Sequence, residues 1–235
     1  MNPRRVEAEL LDRLPTDAPT AIAARKDLRR INAWMGNPRI MARMLLRNVG
    51  DGPPRSLIDL GAGDGTFCLR LARHLAPRWQ RVTVTLVDQQ DIVTDATKDS
   101  FAALGWKVET TAMDVLKFLK VEGRDTDGMI ANLFLHHFTA DPLRDLLALV
   151  ARRASFFTAC EPRRNAVGLA GTSLLWAIGC NAVTRHDARV SVNAGFNGHE
   201  LGSLWPDADG WRLDEQARGM FTHAFGACRS ARSVR

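Results

Sequence analysis

The stretch Leu57-Ile58-Asp59-Leu60-Gly61-Ala62-Gly63-Asp64-Gly65-Thr66-Phe67 constrains the fold more than any other part of the chain. It reads as an apolar strand, a turn with three alternate glycines, and the start of a helix. Glycine belongs where a ligand must approach main chain that a Cβ would obstruct. The helix beyond offers free N–H groups and a partial positive charge. A dinucleotide-binding loop of the G-x-G-x-x-G type needs glycine at position 66, where Thr66 stands. Asp59, at the end of the strand, suits a ligand carrying an ammonium group better than a pyrophosphate.

Around this turn the chain alternates. Strand-like runs at 56–60, 82–88, 107–111, 128–134 and 155–161 are separated by helical runs at 66–76, about 91–104 and 141–152. Crossovers of that length imply a parallel sheet covered on both faces, a doubly wound Rossmann-like α/β fold. Two later runs, Trp211–Gln216 and Phe221–Ala227, read as a closing antiparallel hairpin after a short helix near 198–204, and the tail RSARSVR as a frayed end. Residues 6–14 have helical spacing, a turn follows at Pro15–Pro19, and 20–47 read as helices broken at Gly36–Pro38. Residues 1–49 are thus expected to form an N-terminal helical cap, joined through a linker at Gly50–Pro54 to a domain over 50–235. Within that domain, 163–197 is expected to be an apolar lid insertion. Its core, Asn165 to Thr184, is twenty residues without a charge. Three glycines, three hydroxyl residues and two asparagines argue against a membrane span and for a buried helix or a lid, leaving only transient contact with a membrane surface open.

A length of 235 residues and 26.0 kDa suits one large α/β domain. The net charge of +6 resides at the ends: residues 1–50 carry ten Lys/Arg and five acids, 211–235 five and two, and 51–210 seventeen and nineteen. With 27 arginines against 5 lysines and no central basic stripe, a solvated surface is preferred over a nucleic-acid partner. Cys68, Cys160, Cys180 and Cys228 have no metal-ligand spacing, which points to neither disulfides nor a metal and fits a reducing cytoplasm. The N-terminus has no uninterrupted apolar stretch of the signal-peptide kind.

The acid followed by Gly61-Ala62-Gly63-Asp64-Gly65 resembles the first motif of class I S-adenosylmethionine-dependent methyltransferases, and three further positions agree with it. Asp88 ends the second strand in VTLVD, Met113-Asp114-Val115 follows the third, and Ala131-Asn132-Leu133 closes the fourth. The resemblance covers about 51–161 and implies S-adenosyl-L-methionine as cofactor, with S-adenosyl-L-homocysteine as product. It implies that Asp59, Gly61, Ala62, Gly63 and Gly65 cradle the cofactor and that Asp88, with Gln89 beside it, accepts from the ribose hydroxyls. Asp114 and the Val115 N–H would meet adenine, and Asn132 the methionine end. Taken singly, each has a plainer reading: Asp88 could open a turn, Asp114 could cap a helix, and Gly63 could serve packing.

A hydroxyl acceptor needs a base, since it is a poor nucleophile when protonated. His136 and His137, in LFLHHF beyond the fourth strand, sit at the expected rim of the site, where L-H-H-F resembles small-molecule methyltransferases of the quinone-biosynthesis type. His186 in Thr184-Arg185-His186-Asp187 is a third candidate, with Arg185 and Arg189 able to hold an anion or simply meet solvent. Glu161 faces the same cavity or caps a helix. Trp34, Met35, Ile40, Met41 and Met44 are available for packing or for an acceptor pocket. A weaker similarity, in NAWMGNPRIMARML and CNAVTRHDARVSVNAGF, to bacterial methyltransferases associated with type III polyketide synthases implies a phenolic or polyketide-derived acceptor. The leading expectation is O-methylation of an apolar hydroxylated small molecule. C-methylation of a quinone-like ring, an RNA or protein methyltransferase, and a non-catalytic cofactor-binding protein are the alternatives.

Overall fold

The computed structural model describes residues 3–15, 17–49, 52–121, 125–206 and 209–230. Two N-terminal helices, α1 (Pro19–Met35) and α2 (Asn37–Asn48), meet at Gly36, whose φ of +71° lets the chain turn between them. Then follow β1 (Ser56–Leu60), α3 (Thr66–Leu75), β2 (Thr83–Asp88), α4 (Asp95–Ala103), β3 (Lys107–Ala112), α5 (Val115–Val121), β4 (Thr126–Asn132), α6 (Ala140–Arg153) and β5 (Ala154–Pro162). The chain continues through α7 (Ala166–Leu174), α8 (Ala182–Ala194), α9 (Glu200–Leu204), β6 (Trp211–Arg218) and β7 (Thr222–Arg229). All seven strands form one sheet in the order β3-β2-β1-β4-β5-β7-β6. Strands β1 to β5 pair in parallel, and the β6–β7 hairpin joins β5 antiparallel.

The central strands are apolar because they are covered on both faces. On one face Cys68, Leu71, Ala72 and Leu75 of α3 pack with Met41, Met44 and Leu45 of α2. On the other, Leu143, Leu146, Leu147 and Val150 of α6 pack with Phe157, Phe225 and Trp205. Strand order reverses between β1 and β4, so the crevice at their carboxyl ends is where a doubly wound sheet receives ligands.

Several elements depart from the sequence expectation. Residues 6–14 are not a helix: the segment is extended, with a single 3-10 turn at Leu11–Arg13, because it lies across the crevice rather than on a core. Helix α5 was unforeseen, although Val115, Phe118 and Leu119 bury one helical face. Strand β4 ends at Asn132, since Leu133 turns to a φ of +52°, rare for a branched side chain. The uncharged 165–184 stretch is neither a buried helix nor a lid over the crevice. It is the short helix α7, a loop and the first turn of α8, with Val167, Leu174, Trp176 and Ile178 at least half exposed. Among the described residues no helix is long and apolar enough to cross a membrane. Gly50 of the expected linker, Thr16 of the expected turn and residues 231–235 of the tail lie outside the described residues.

Candidate active site

The glycine turn after β1 takes its shape from three left-handed residues, Gly61 (φ +73°), Gly63 (+56°) and Gly65 (+73°). A Cβ on Gly61 would lie 2.2 Å from the Phe134 ring, so that position is closed to any other residue. A Cβ on Gly63 would meet nothing within 4 Å, because that face of the turn opens on the cavity. The Gly61 and Ala62 N–H groups both donate to the Val87 carbonyl, tying the turn to the end of β2. There Asp88 accepts from the Gly63 N–H (2.8 Å) and the Gln90 N–H (2.9 Å), which fixes its carboxylate at the cavity wall.

Asp59 is 2% exposed, and its Oδ2 has no hydrogen-bond partner among the described residues. Burial, reinforced by the charge of Asp88, pushes its carboxyl up to about 8, against a smaller opposing hydrogen bond from the Cys68 thiol. An unpartnered buried oxygen aimed at a cavity is a docking point for a cationic group. With the open face of Gly63, it fits the ammonium end of an S-adenosylmethionine molecule.

The cavity holds about 280 Å³ and is lined by all the elements that meet at the carboxyl ends of β1, β2 and β4. Asp59, the glycine turn, Asp88, Asn132, His136 and His137 all reach it. Asn132 is held by a buried chain in which the Thr222 hydroxyl donates to Asn37 Oδ1 and the Asn37 amide donates to Asn132 Oδ1. Gln89 and Asp114 stand outside the cavity lining and exposed. The Gln89 amide donates to Asp114 (3.3 Å), and Asp114 accepts the Lys117 N–H as the N-cap of α5. Val115 is the buried first residue of that helix.

The three histidines occupy different environments. His136 is buried, with Nδ1 2.8 Å from Glu161 Oε2 and Nε2 3.3 Å from Glu9 Oε1. Burial alone would lower its pKa, but the hydrogen bonds and charges of Glu161 and Glu9 raise it to about 9. His137 stacks beside it with ring centres 4.3 Å apart and faces the cavity, its Nδ1 3.8 Å from Asp12 Oδ2. Burial and then the charge of His136 hold the His137 pKa below its ordinary value. His186 lies on α8, half exposed and outside the cavity lining, its Nδ1 3.0 Å from Asp187. His186 is thus not brought together with the other two histidines, and it is the other face of α8, carrying Ser191, that lines the cavity. Arg185 and Arg189 point to solvent.

Glu161, fully buried, accepts from the Phe134 and Leu135 N–H groups on Oε1 and from the His136 N–H on Oε2, so it caps the turn that presents both histidines. Glu9, His136 and His137 bring ligand-type atoms within 4.8 Å of one another. Both ring nitrogens of His136 are taken up by carboxylates, so the cluster neutralises itself.

The contribution of the extreme N-terminus was not foreseen from sequence. Arg4 donates to the carbonyls of Leu135, His136 and Ala194, and its guanidinium lies 4.4 Å over the Phe196 ring. The Leu10 and Leu11 N–H groups donate to the two oxygens of Asp187. These bonds lay residues 4–12 across the crevice, so that Glu9, Leu11 and Asp12 become part of its wall. Burial, with the charges of Glu9 and Asp187, pushes the Asp12 carboxyl up to about 6. On the facing wall, Arg29 of α1 pairs with Asp64 of the glycine turn at 2.8 Å.

A seven-stranded sheet of this order, with a glycine turn after β1 and an acid at the end of β2, defines the Rossmann-like methyltransferase fold. Residues 57–155 match the family model described as a methyltransferase domain, and this part of the chain is a class I S-adenosylmethionine-dependent methyltransferase domain. No curated protein sequence matches the chain. Among solved structures, an O-methyltransferase family protein from Burkholderia thailandensis is 22% identical with a TM-score of 0.55, over 93% of this chain and 65% of that one. The chain therefore spans a little under two thirds of that protein's length. Magnesium protoporphyrin IX methyltransferase from Synechocystis PCC 6803, with bound S-adenosylhomocysteine, is 17% identical with a TM-score of 0.56, over 87% and 86%. A plantazolicin methyltransferase, also with S-adenosylhomocysteine, is 12% identical with a TM-score of 0.61, over 92% and 91%. At these identities the likeness is one of fold.

Proposed function

We propose that the protein transfers a methyl group from S-adenosylmethionine to the hydroxyl of a small molecule with an apolar body, using His137 as general base. The observation that carries this reading is the contrast within the histidine pair. His136 is pinned as a cation between two carboxylates, while His137 faces the cavity with a pKa held below its ordinary value. A neutral imidazole at the wall can take a proton near neutral pH; an ion-paired one cannot.

Asp59 would hold the ammonium group, the glycine turn would allow the close approach, and Asp88 would accept from the ribose hydroxyls. Asp114, the Val115 N–H and Gln89 would border adenine, and Asn132, fixed by Asn37, the methionine end. When bound, the cofactor supplies a methyl group already activated on a positively charged sulfur, so the protein's main task is alignment. His137 takes the hydroxyl proton as the oxygen–carbon bond forms, and Asp12 lies close enough to stabilise the resulting imidazolium. Leu11, Leu28, Leu133 and Pro162 supply apolar wall for the body of the acceptor.

The test is incubation with methyl-labelled cofactor and a panel of phenols and polyketide-type acceptors, followed by mass spectrometry. Label in an ether linkage is expected. Label on ring carbon would move the assignment to C-methylation, in which the same base ionises a ring hydroxyl. Label in peptide or RNA, with none in the panel, would overturn it.

A further inference from the structure

Among the described residues, most of the large apolar side chains that face solvent gather at one corner of the molecule. Trp34 (73% exposed), Val167 (50%), Leu174 (64%), Trp176 (65%), Ile178 (51%) and Met220 (58%) come from three separate segments. Cross-links join the segments. The Trp34 ring lies 5.4 Å from that of Phe221, the Asn165 amide donates to the Met220 carbonyl, and the Arg30 guanidinium donates to the Ile178 carbonyl. The chain has six tryptophans, of which Trp79, Trp106 and Trp205 are buried and Trp211 is half-buried. The two exposed ones are both here. A contiguous apolar corner of this kind marks an interaction surface.

The surrounding charge identifies the partner. Residues 28–39, 163–186 and 216–222, which build the corner, contain seven arginines and no acid. Arg29, Arg164 and Arg218 are engaged by Asp64, Glu200 and Asp214. Arg30, paired with Asp27 at 3.4 Å, stands at the rim, and Arg185 is exposed beside it on α8 with no acid paired to it among the described residues. The acids that flank these segments are taken up inside the protein: Asp27 accepts from the Arg30 guanidinium, the Asn181 N–H and the Thr184 hydroxyl, Asp187 from the Leu10 and Leu11 N–H groups, and Glu215 from the Leu201 and Gly202 N–H groups. Two copies of the chain meeting through this corner would bring arginine against arginine. A bilayer with anionic headgroups complements it: tryptophan and aliphatic side chains enter the interface, and arginine meets phosphate.

We propose that this corner, formed by the α7 helix, the 175–181 loop, the end of α1 and the β6–β7 turn, docks the protein on anionic membrane surfaces. It does so without crossing them. The outer side of α1 carries Trp34 and Arg30, while its inner side carries Leu28, Arg29 and Asn32 into the cavity wall. One helix therefore separates the membrane contact from the acceptor site. The inference is independent of the acceptor's identity and of the choice of base.

The experiment is vesicle co-sedimentation of the full chain, using phosphatidylcholine alone and phosphatidylcholine with one-third phosphatidylglycerol. Binding to the anionic vesicles is expected to be at least about tenfold tighter and to weaken with added salt. Leu174→Ser/Trp176→Ser/Ile178→Ser should lose at least about tenfold of that binding. Its melting temperature and cofactor affinity should stay at wild-type values, since these side chains already face water. Arg185→Glu should weaken binding to anionic vesicles only. Absence of vesicle binding at low salt, or wild-type binding by the triple variant, would overturn the proposal. A dimer that the triple variant dissociates, with no vesicle binding by the wild type, would assign the corner to a second copy instead.

Discussion

Glu161 and His136 form a buried pair, with Oε2 2.8 Å from Nδ1, and the same carboxylate takes the backbone N–H groups of Phe134, Leu135 and His136. One side chain at the end of β5 thus fixes both the path of the turn beyond β4 and the protonation of its first histidine. His137 inherits its orientation from that arrangement.

His137→Ala should lower kcat by about 10²–10⁴-fold, the usual cost of a missing general base, with cofactor affinity within a few-fold of wild type. His186→Ala, altered on the solvent side of α8, should turn over normally. Steady-state kinetics with one acceptor, together with calorimetry for the cofactor, decides the matter. Failure of His186→Ala alone would put the base on α8.

Asp88→Ala should weaken cofactor binding at least about tenfold. Two charge-assisted hydrogen bonds, worth roughly 1.5–3 kcal/mol each, disappear, less what water returns. The Gly63 and Gln90 N–H groups also lose their acceptor, so a melting curve must accompany the titration. A folded variant with unchanged affinity would remove Asp88 from the site.

Asp59 makes cofactor binding proton-linked. Its carboxyl, pushed up to about 8, is protonated at neutral pH in the empty cavity and must ionise to pair with an ammonium group. Calorimetry at pH 7 in buffers of different ionisation enthalpy should show release of most of one proton per cofactor bound. Affinity should therefore rise with pH up to about 8. Asp59→Asn should abolish the buffer dependence; its persistence would assign the proton elsewhere.

His136 makes stability fall in mild alkali. Unfolded, it titrates near 6.5; folded, near 9. Its contribution is complete below about pH 6.5 and is lost as pH rises through 9. At 1.36 kcal/mol per pKa unit this is about 3 kcal/mol, or about 6–12 °C in Tm for a chain of this size. Asp59, also raised, acts in the same direction up to about pH 8, so the comparison belongs in an Asp59→Asn background. There, His136→Gln should start less stable and show a flatter Tm profile between pH 6.5 and 9. An equally steep profile would mean that another group carries the change.

The sheet was legible because strand and crossover lengths restrict topology, and because Gly61, Gly63 and Gly65 mark the turn after β1. The acid at the end of β2 was legible for the same reason: strand ends are fixed by the sheet. Positions set by long-range contact were not. Asn37 acts through Asn132, 95 residues away, and Glu9 meets His136 across 127 residues. Nothing in VEAELLD distinguishes a strap across a crevice from a helix, since its apolar spacing suits either. The 165–184 stretch misled in the opposite sense. Lack of charge suggested burial, whereas its glycines and hydroxyl residues support a short helix and an exposed loop. The doublet at 136–137 showed where a base could stand, but only the third dimension separated the ion-paired ring from the accessible one.

The strap has a consequence for how the molecule is made. Arg4, Glu9 and Leu10 leave the ribosome 177 to 190 residues ahead of their partners Ala194, Ser191 and Asp187. At about 5–20 residues per second the partners follow some 10–40 s later. Until α8 emerges, residues 4–12 have only the turn at Leu135 and His136 to dock against, and the acceptor wall stays incomplete. A nascent chain stalled after β5 already has the glycine turn, Asp59 and Asp88, and so the means to recognise the cofactor. It should gain methyl transfer only when α8 has emerged to receive the strap.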